Sequence, residues 1–136
     1  LFRDMEGGQT NEFRPLILVA EDDDSNFKLI KAIIGKKCDI QWAKNGEEIV
    51  ALFKEYGNEA KAILMDIKMP VMNGLDATKI IRGENKEIPI IMQTAYAFSS
   101  DKENAMNAGA SEVLVKPITL SILRNTLTKY FPELVW

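Results

Sequence analysis

The sequence predicts an α/β fold, a five-stranded parallel sheet with helices on both faces, and two features carry that expectation. Five short apolar runs recur along the chain, and a stretch with helical spacing follows each of them. The runs are LILVA (16 to 20), DIQWA (39 to 43), AILM (62 to 65), IPIIMQT (88 to 94) and EVLV (112 to 115). They hold too few alternating polar positions for a sheet with one wet face, so they suit strands covered on both sides. Phe27, Ile30 and Ile33-Ile34 mark the first helix, with Asp24 or Ser25 expected to cap it. Ile49, Leu52-Phe53 and Tyr56 mark the second, which makes Asn45-Gly46 a strand-to-helix loop rather than a hairpin. Leu75, Thr78 and Ile81 mark the third. Ser100 and Glu103 have the spacing of a capping box, with Ala105, Met106 and Ala108 behind it and Gly109 as the stop. Leu120, Leu123, Leu127 and Tyr130 give the last. Right-handed crossovers place such helices on both faces and leave the carboxyl ends of the strands as the binding edge.

Composition narrows the function. The 136 residues, 46% of them hydrophobic and 27% charged, suit one domain with a core of its own. Residues 1–14, polar and carrying Gly7-Gly8, read as a linker or flexible arm, and 15–136 as the domain. A net charge of -3 without a long basic run argues against direct nucleic-acid contact. No run is long enough to span a membrane and no signal-peptide pattern opens the chain, so a cytoplasmic location is expected. The single Cys38 reads as a small core residue in a reducing compartment. The chain opens on Leu1 rather than Met, as expected of a piece of something longer. There is no histidine, so chemistry must run on carboxylates, hydroxyls and amines.

Those groups stand at the strand ends. The first run ends in Glu21-Asp22-Asp23-Asp24, the third in Asp66, the fourth in Thr94 and the fifth in Lys116-Pro117. Each alone has an ordinary structural reading as a cap, a turn former or a solvated charge. Convergence of four strand ends on the binding edge favours function instead. Two carboxylates about 4 Å apart repel by roughly 4 kcal/mol at an effective dielectric near 20, which is a large share of a domain's stability. A cation must therefore sit among Glu21, Asp22 and Asp66. Lys116 offers one charge and a hard oxygen-preferring ion, Mg²⁺ above all, two more. The same cations can hold a phosphoryl group, with the Thr94 hydroxyl donating to it, and Asp66 then reads as the nucleophile that forms an acyl phosphate.

The segments ILVAEDDDSN, ILMDIKMPVMNG, QTAYA and VLVKPI, in this order from about Leu16 to Tyr130, resemble the receiver domain of two-component response regulators, including receivers attached to hybrid histidine kinases. The resemblance implies a flavodoxin-like (βα)5 fold and a Mg²⁺-dependent transfer onto Asp66 from a phosphohistidine of a histidine kinase or histidine phosphotransfer domain. It implies that Glu21, Asp22, Asp66 and the backbone carbonyl of Lys68 hold the metal. Thr94 and Lys116 would move toward the phosphoryl oxygens, carrying the face of the fourth helix, fifth strand and fifth helix. Pro70 and Gly74 match the turn after the acceptor, and Pro117 the usual cis peptide after the lysine.

Two positions depart from the family pattern. Glu21 replaces the commoner Asp, and Val113 stands where an aromatic switch is usual; Tyr96, with Lys68, is the candidate cover for the site. Such a domain is a signalling phosphoacceptor that catalyses its own phosphorylation and slow dephosphorylation, not a turnover enzyme. An Asp-nucleophile phosphatase resembles it but would carry a second Asp where Lys68 stands. No G-x-x-x-x-G-K-[ST] or G-x-G-x-x-G occurs to bind a nucleotide. A degenerate receiver that only binds a protein is the alternative, but it would be expected to lack the acceptor, the threonine or the lysine. Phe27, Ile30 and Ile118 are the expected docking surface for the histidine-bearing partner.

Overall fold

In the computed structural model, which describes residues 13–96 and 100–136 and the main chain of 3–4 and 6–7, the five apolar runs form five parallel strands. These are β1 (Leu16–Ala20), β2 (Asp39–Ala43), β3 (Ala60–Asp66), β4 (Ile90–Thr94) and β5 (Glu112–Val115), in the spatial order 2-1-3-4-5. Arg3–Asp4 and Glu6–Gly7 make a separate two-stranded pairing outside this sheet. β3 begins two residues earlier than the pattern suggested, because Ala60 already pairs with Leu16 and the Lys61 side chain stays exposed there. β4 begins two residues later. Pro89 has no N–H for the ladder, although its carbonyl still accepts from the Ile63 N–H at 2.9 Å.

Side chains alternate along each strand to fill two cores. Ile17, Val19, Leu64 and Ile91 pack with Ile30, Ile33, Ile34, Leu123 and Leu127, which come from α1 (Asp24–Ile34) and α5 (Leu120–Tyr130). Leu18, Ile63, Met65 and Met92 pack with Ile49, Phe53, Ala77, Ile81 and Ala105, from α2 (Gly46–Tyr56), α3 (Gly74–Arg82) and α4 (Asp101–Ala108). Cys38 is buried in the first of these cores. Phe13 and Arg14 also reach the body. The Phe13 ring lies 6.1 Å from Phe131, and Arg14 donates to the carbonyls of Gly35 and Lys36 just past α1 while pairing with Asp39 at 2.8 Å.

The caps differ from the sequence reading at two helices. Asp23, not Asp24 or Ser25, caps α1, since its extended backbone lets the carboxylate accept the Asn26 N–H. Ser100 makes no side-chain cap bond at α4, because φ -67 and ψ -6 already place it in the helical region. Asn45 caps α2 as the loop reading required. Gly109 stops α4 in the left-handed region at φ 116, where a Cβ would lie 2.6 Å from the Arg82 Cγ. Gly109→Ala should therefore lower stability by about 2 kcal/mol in urea unfolding. A midpoint unchanged from the parent would contradict the crowding.

Two features shape the loop that follows β3. The Gly74 N–H donates to the Ile67 carbonyl at 2.8 Å, and a Cβ on Gly74 would overlap the carbonyl oxygen of Asp66. Val71 sits at φ 69, a left-handed conformation that costs a β-branched residue about 1–3 kcal/mol.

Candidate functional site

The 2-1-3-4-5 order leaves a crevice where successive connections from β1 and β3 run to opposite faces of the sheet. The residues that close β1, β3, β4 and β5 meet there. A cavity of about 240 Å³ is lined by Glu21, Asp22, Asp66, Lys68, Thr94, Tyr96 and Lys116, with Asn26 and Gln93. All of the site residues expected from the sequence thus share one cup.

Asp66 is the last residue of β3, paired with Gln93 of β4, and is 5% exposed. Lys116 is placed by its own main chain: its N–H donates to the Thr94 carbonyl at 2.8 Å, just past the end of β5. Its ammonium then reaches the Asp66 Oδ2 at 2.9 Å. Burial disfavours the charged ammonium, but the hydrogen bond and charge of Asp66, with Glu21 and Asp22 behind it, outweigh that and raise the Lys116 pKa. The Lys116–Pro117 peptide is cis, as the family resemblance implied.

Glu21 is the most buried acid of the cup at 1% exposure. Its Oε2 accepts the Asp23 N–H at 3.1 Å, whereas Oε1 has no hydrogen-bond partner. Burial pushes its carboxyl up to about 7 from 4.5, opposed by the Asp23 N–H and helped by the negative charge of Asp66. Carboxylate oxygens of Glu21, Asp22 and Asp66 lie within 4.8 Å of one another. An orphaned buried oxygen beside two further carboxylates is the donor set a hard divalent cation requires, so the residues fit Mg²⁺. The neighbouring Ile67 fixes the path of Lys68, its N–H bonded to the Gln93 carbonyl at 3.1 Å and its own carbonyl to Gly74.

Thr94 is buried at the end of β4, but its hydroxyl is engaged elsewhere. It accepts the Tyr96 N–H at 3.1 Å and donates to the Asp101 Oδ2 at 3.4 Å, at the start of α4. Asp101 was not singled out by the sequence, because it lies seven positions beyond Thr94 and outside the pattern of strand ends. Tyr96 is exposed, and the Lys68 ammonium lies 5.5 Å from its ring centroid at the mouth of the cavity.

The expected docking residues separate. Ile30 is 3% exposed and belongs to the core, while Phe27 and Ile118 are half-buried. Ile30 turns inward because it shares the apolar stripe of α1 with Ile33 and Ile34. What lies open beside the cup is a groove of about 300 Å³ lined by Leu29, Ile30, Ala95, Pro117 and Ile118. Val113 is half-buried against the core shared with α2, α3 and α4, with no aromatic ring to rotate.

Sheet order, cup and lysine together define a phosphoacceptor domain of the receiver type. Residues 17–128 match the family described as the response regulator receiver domain, and the chain belongs to that family. Its curated relatives include receivers carried by hybrid histidine kinases. It is 38% identical over 129 residues to hybrid signal transduction histidine kinase I of Dictyostelium discoideum, covering 86% of this chain and 7% of that protein. It is 33% identical to the histidine-protein kinase BarA of Escherichia coli K12, covering 85% of this chain and 13% of that protein. Among solved structures, the receiver domain of sensor histidine kinase PA1611 from Pseudomonas aeruginosa, with magnesium coordinated in its active-site cleft, matches with a TM-score of 0.81. That match has 30% identity and covers 88% of this chain and 99% of that one. The Saccharomyces cerevisiae Ssk1 receiver, solved with the histidine phosphotransfer protein Ypd1, matches with a TM-score of 0.81 and 28% identity over 90% and 93% of the two chains. Among the described residues no helix is long and apolar enough to cross a membrane.

Proposed function

We propose that Asp66 is the phosphoacceptor of this receiver, that Glu21, Asp22, Asp66 and the Lys68 carbonyl hold Mg²⁺, and that Thr94 and Lys116 bind the phosphoryl oxygens. The observation that carries this reading is a buried Glu21 with an unpartnered Oε1, its carboxylate clustered with those of Asp22 and of an Asp66 already paired with Lys116. An Asp66 carboxylate oxygen attacks the phosphorus of a phosphohistidine; a P–O bond forms, the P–N bond breaks, and the departing imidazole takes up a proton. Bound Mg²⁺ supplies two positive charges against the charge on the transferring oxygens. Lys116 exchanges part of its bond to Asp66 for a phosphoryl oxygen. Thr94 gives up Asp101 to donate its hydroxyl to another, which turns chemistry at the cup into movement at the start of α4.

The donor fits a histidine kinase or histidine phosphotransfer domain, whose apolar helix would lie in the groove of Leu29, Pro117 and Ile118. Such a relay belongs in the cytoplasm, with no nucleic-acid or membrane contact by this segment. The domain is then a signalling phosphoacceptor that speeds its own phosphorylation and slow dephosphorylation. Its folded unit is 15–136, with Phe13 and Arg14 packed against it.

Incubation with Mg²⁺ and acetyl phosphate tests the assignment by intact mass. The parent should gain one phosphoryl group and Asp66→Asn none; an adduct that persists in the mutant would move the acceptor elsewhere. Tyr96→Ala opens the mouth of the cavity and should shorten the lifetime of that adduct severalfold, while an unchanged decay would remove Tyr96 and Lys68 as its cover.

A further inference from the structure

Glu21 lies one residue beyond the last β1–β2 ladder pair, Ala20 with Ala43, yet both of its main-chain polar groups are tied to β2 or its end. Its N–H donates to the Ala43 carbonyl at 2.9 Å. Its carbonyl accepts the indole N–H of Trp42 at 2.8 Å. The indole is itself held in place. Its ring stacks on Phe27 with centroids 3.9 Å apart and planes 1° from parallel. The Lys44 ammonium lies 4.8 Å from the Trp42 ring centroid and pairs with Asp24 at 3.3 Å. The first turn of α1 and the end of β2 are thus fastened around the acidic loop.

A glutamate carboxylate stands at the end of three rotatable bonds, so its oxygens are only as well placed as the main chain from which they hang. We propose that Trp42 is a positioning residue for the metal site: its indole N–H locks the Glu21 carbonyl and so holds the Glu21 carboxylate in the cluster with Asp22 and Asp66. This rests on the reading of that cup as a Mg²⁺ site. Stacking on Phe27 would bury the ring without any donor. The N–H is the part that reaches the metal-binding residue, and no strand or helix requires it.

The test titrates Mg²⁺ alone, followed by the amide shifts of Asp22 and Asp23, with melting in EDTA recorded in parallel. Trp42→Phe keeps a stacking ring and removes the donor. Benzothienylalanine at position 42 keeps the whole bicycle with sulfur in place of N–H, and decides the matter if the Phe variant does not fold. Both replacements should weaken Mg²⁺ binding about three- to tenfold, the value of one hydrogen bond. In a Glu21→Gln background the same replacements should change affinity by less than about twofold, because the path to the metal runs through Glu21. A benzothienyl variant that melts lower but binds Mg²⁺ like the parent shows a merely structural role and overturns the proposal. So does an equal loss in the Glu21→Gln background. If Asp66→Asn weakens Mg²⁺ binding and the Trp42 replacements do not, only the present proposal falls. A parent chain that binds no Mg²⁺ at millimolar concentration removes the metal site and the positioning role together.

Discussion

Glu21→Gln should make the metal-free protein more stable, by about 2–4 kcal/mol at pH 8 in EDTA. The carboxyl is pushed up to about 7 by burial against an ordinary 4.5, so between those values the folded chain keeps a proton that the unfolded chain has released, and at pH 8 it must bury the charge instead. Its contribution is therefore fully favourable below about 4.5 and is lost as pH rises through about 7. The parent should melt progressively lower across that window, and the Gln variant should not share this part of the slope. With saturating Mg²⁺ the order reverses, because ligand binding adds stability to the chain that holds the ion tightly. Urea unfolding at several pH values, with EDTA or Mg²⁺, measures both signs. A Gln variant no more stable than the parent at pH 8 would mean that the buried oxygen is not at a disadvantage.

Lys116→Met should slow adduct formation from acetyl phosphate about a hundredfold or more, the usual loss when a preorganised donor to developing negative charge is removed. The same change leaves the Asp66 Oδ2 without its ammonium partner at 2.9 Å. With the Asp66 side chain only 7% exposed, metal-free stability should also fall by about 1–3 kcal/mol. Lowering the pH should return part of that stability, since Glu21 takes up a proton and removes one of the three crowded charges. Single-turnover phosphorylation followed by mass, at matched folded fraction, separates the two effects. A rate like the parent's would show that Lys116 serves the resting pair and not the phosphoryl group.

The strands were legible because parallel strands covered on both faces leave no room for polar positions, and Ile17, Leu18, Ile63, Leu64, Ile90 and Ile91 are all fully buried. Their ends gave the cup for a related reason: Glu21, Asp66 and Lys116 each follow directly on a run that periodicity locates, and Thr94 closes one. What periodicity does not carry is the path of loops and the aim of individual groups. Asp23 outcompetes its neighbours as a cap through backbone angles that no side-chain pattern records. Ile30 packs into the core although its neighbour Leu29 is 49% exposed, a difference of one helical position that leaves Ile30 only at the floor of the groove. Trp42 read only as part of a strand, since its bond to the Glu21 carbonyl spans 21 residues and uses a side-chain donor. The Thr94 to Asp101 contact was hidden in the same way.

The overlap that any Cβ at position 74 would make with the Asp66 carbonyl has a consequence for sequence variation. In a saturation library scored for phosphoryl uptake, column 74 should collapse to a single amino acid, since every alternative pushes on the backbone bearing the acceptor. Column 71, 72% exposed and already wound the wrong way for valine, should tolerate nearly anything and favour glycine or asparagine. The tightest restriction on the reactive carboxylate is thus imposed by a residue that has no side chain at all.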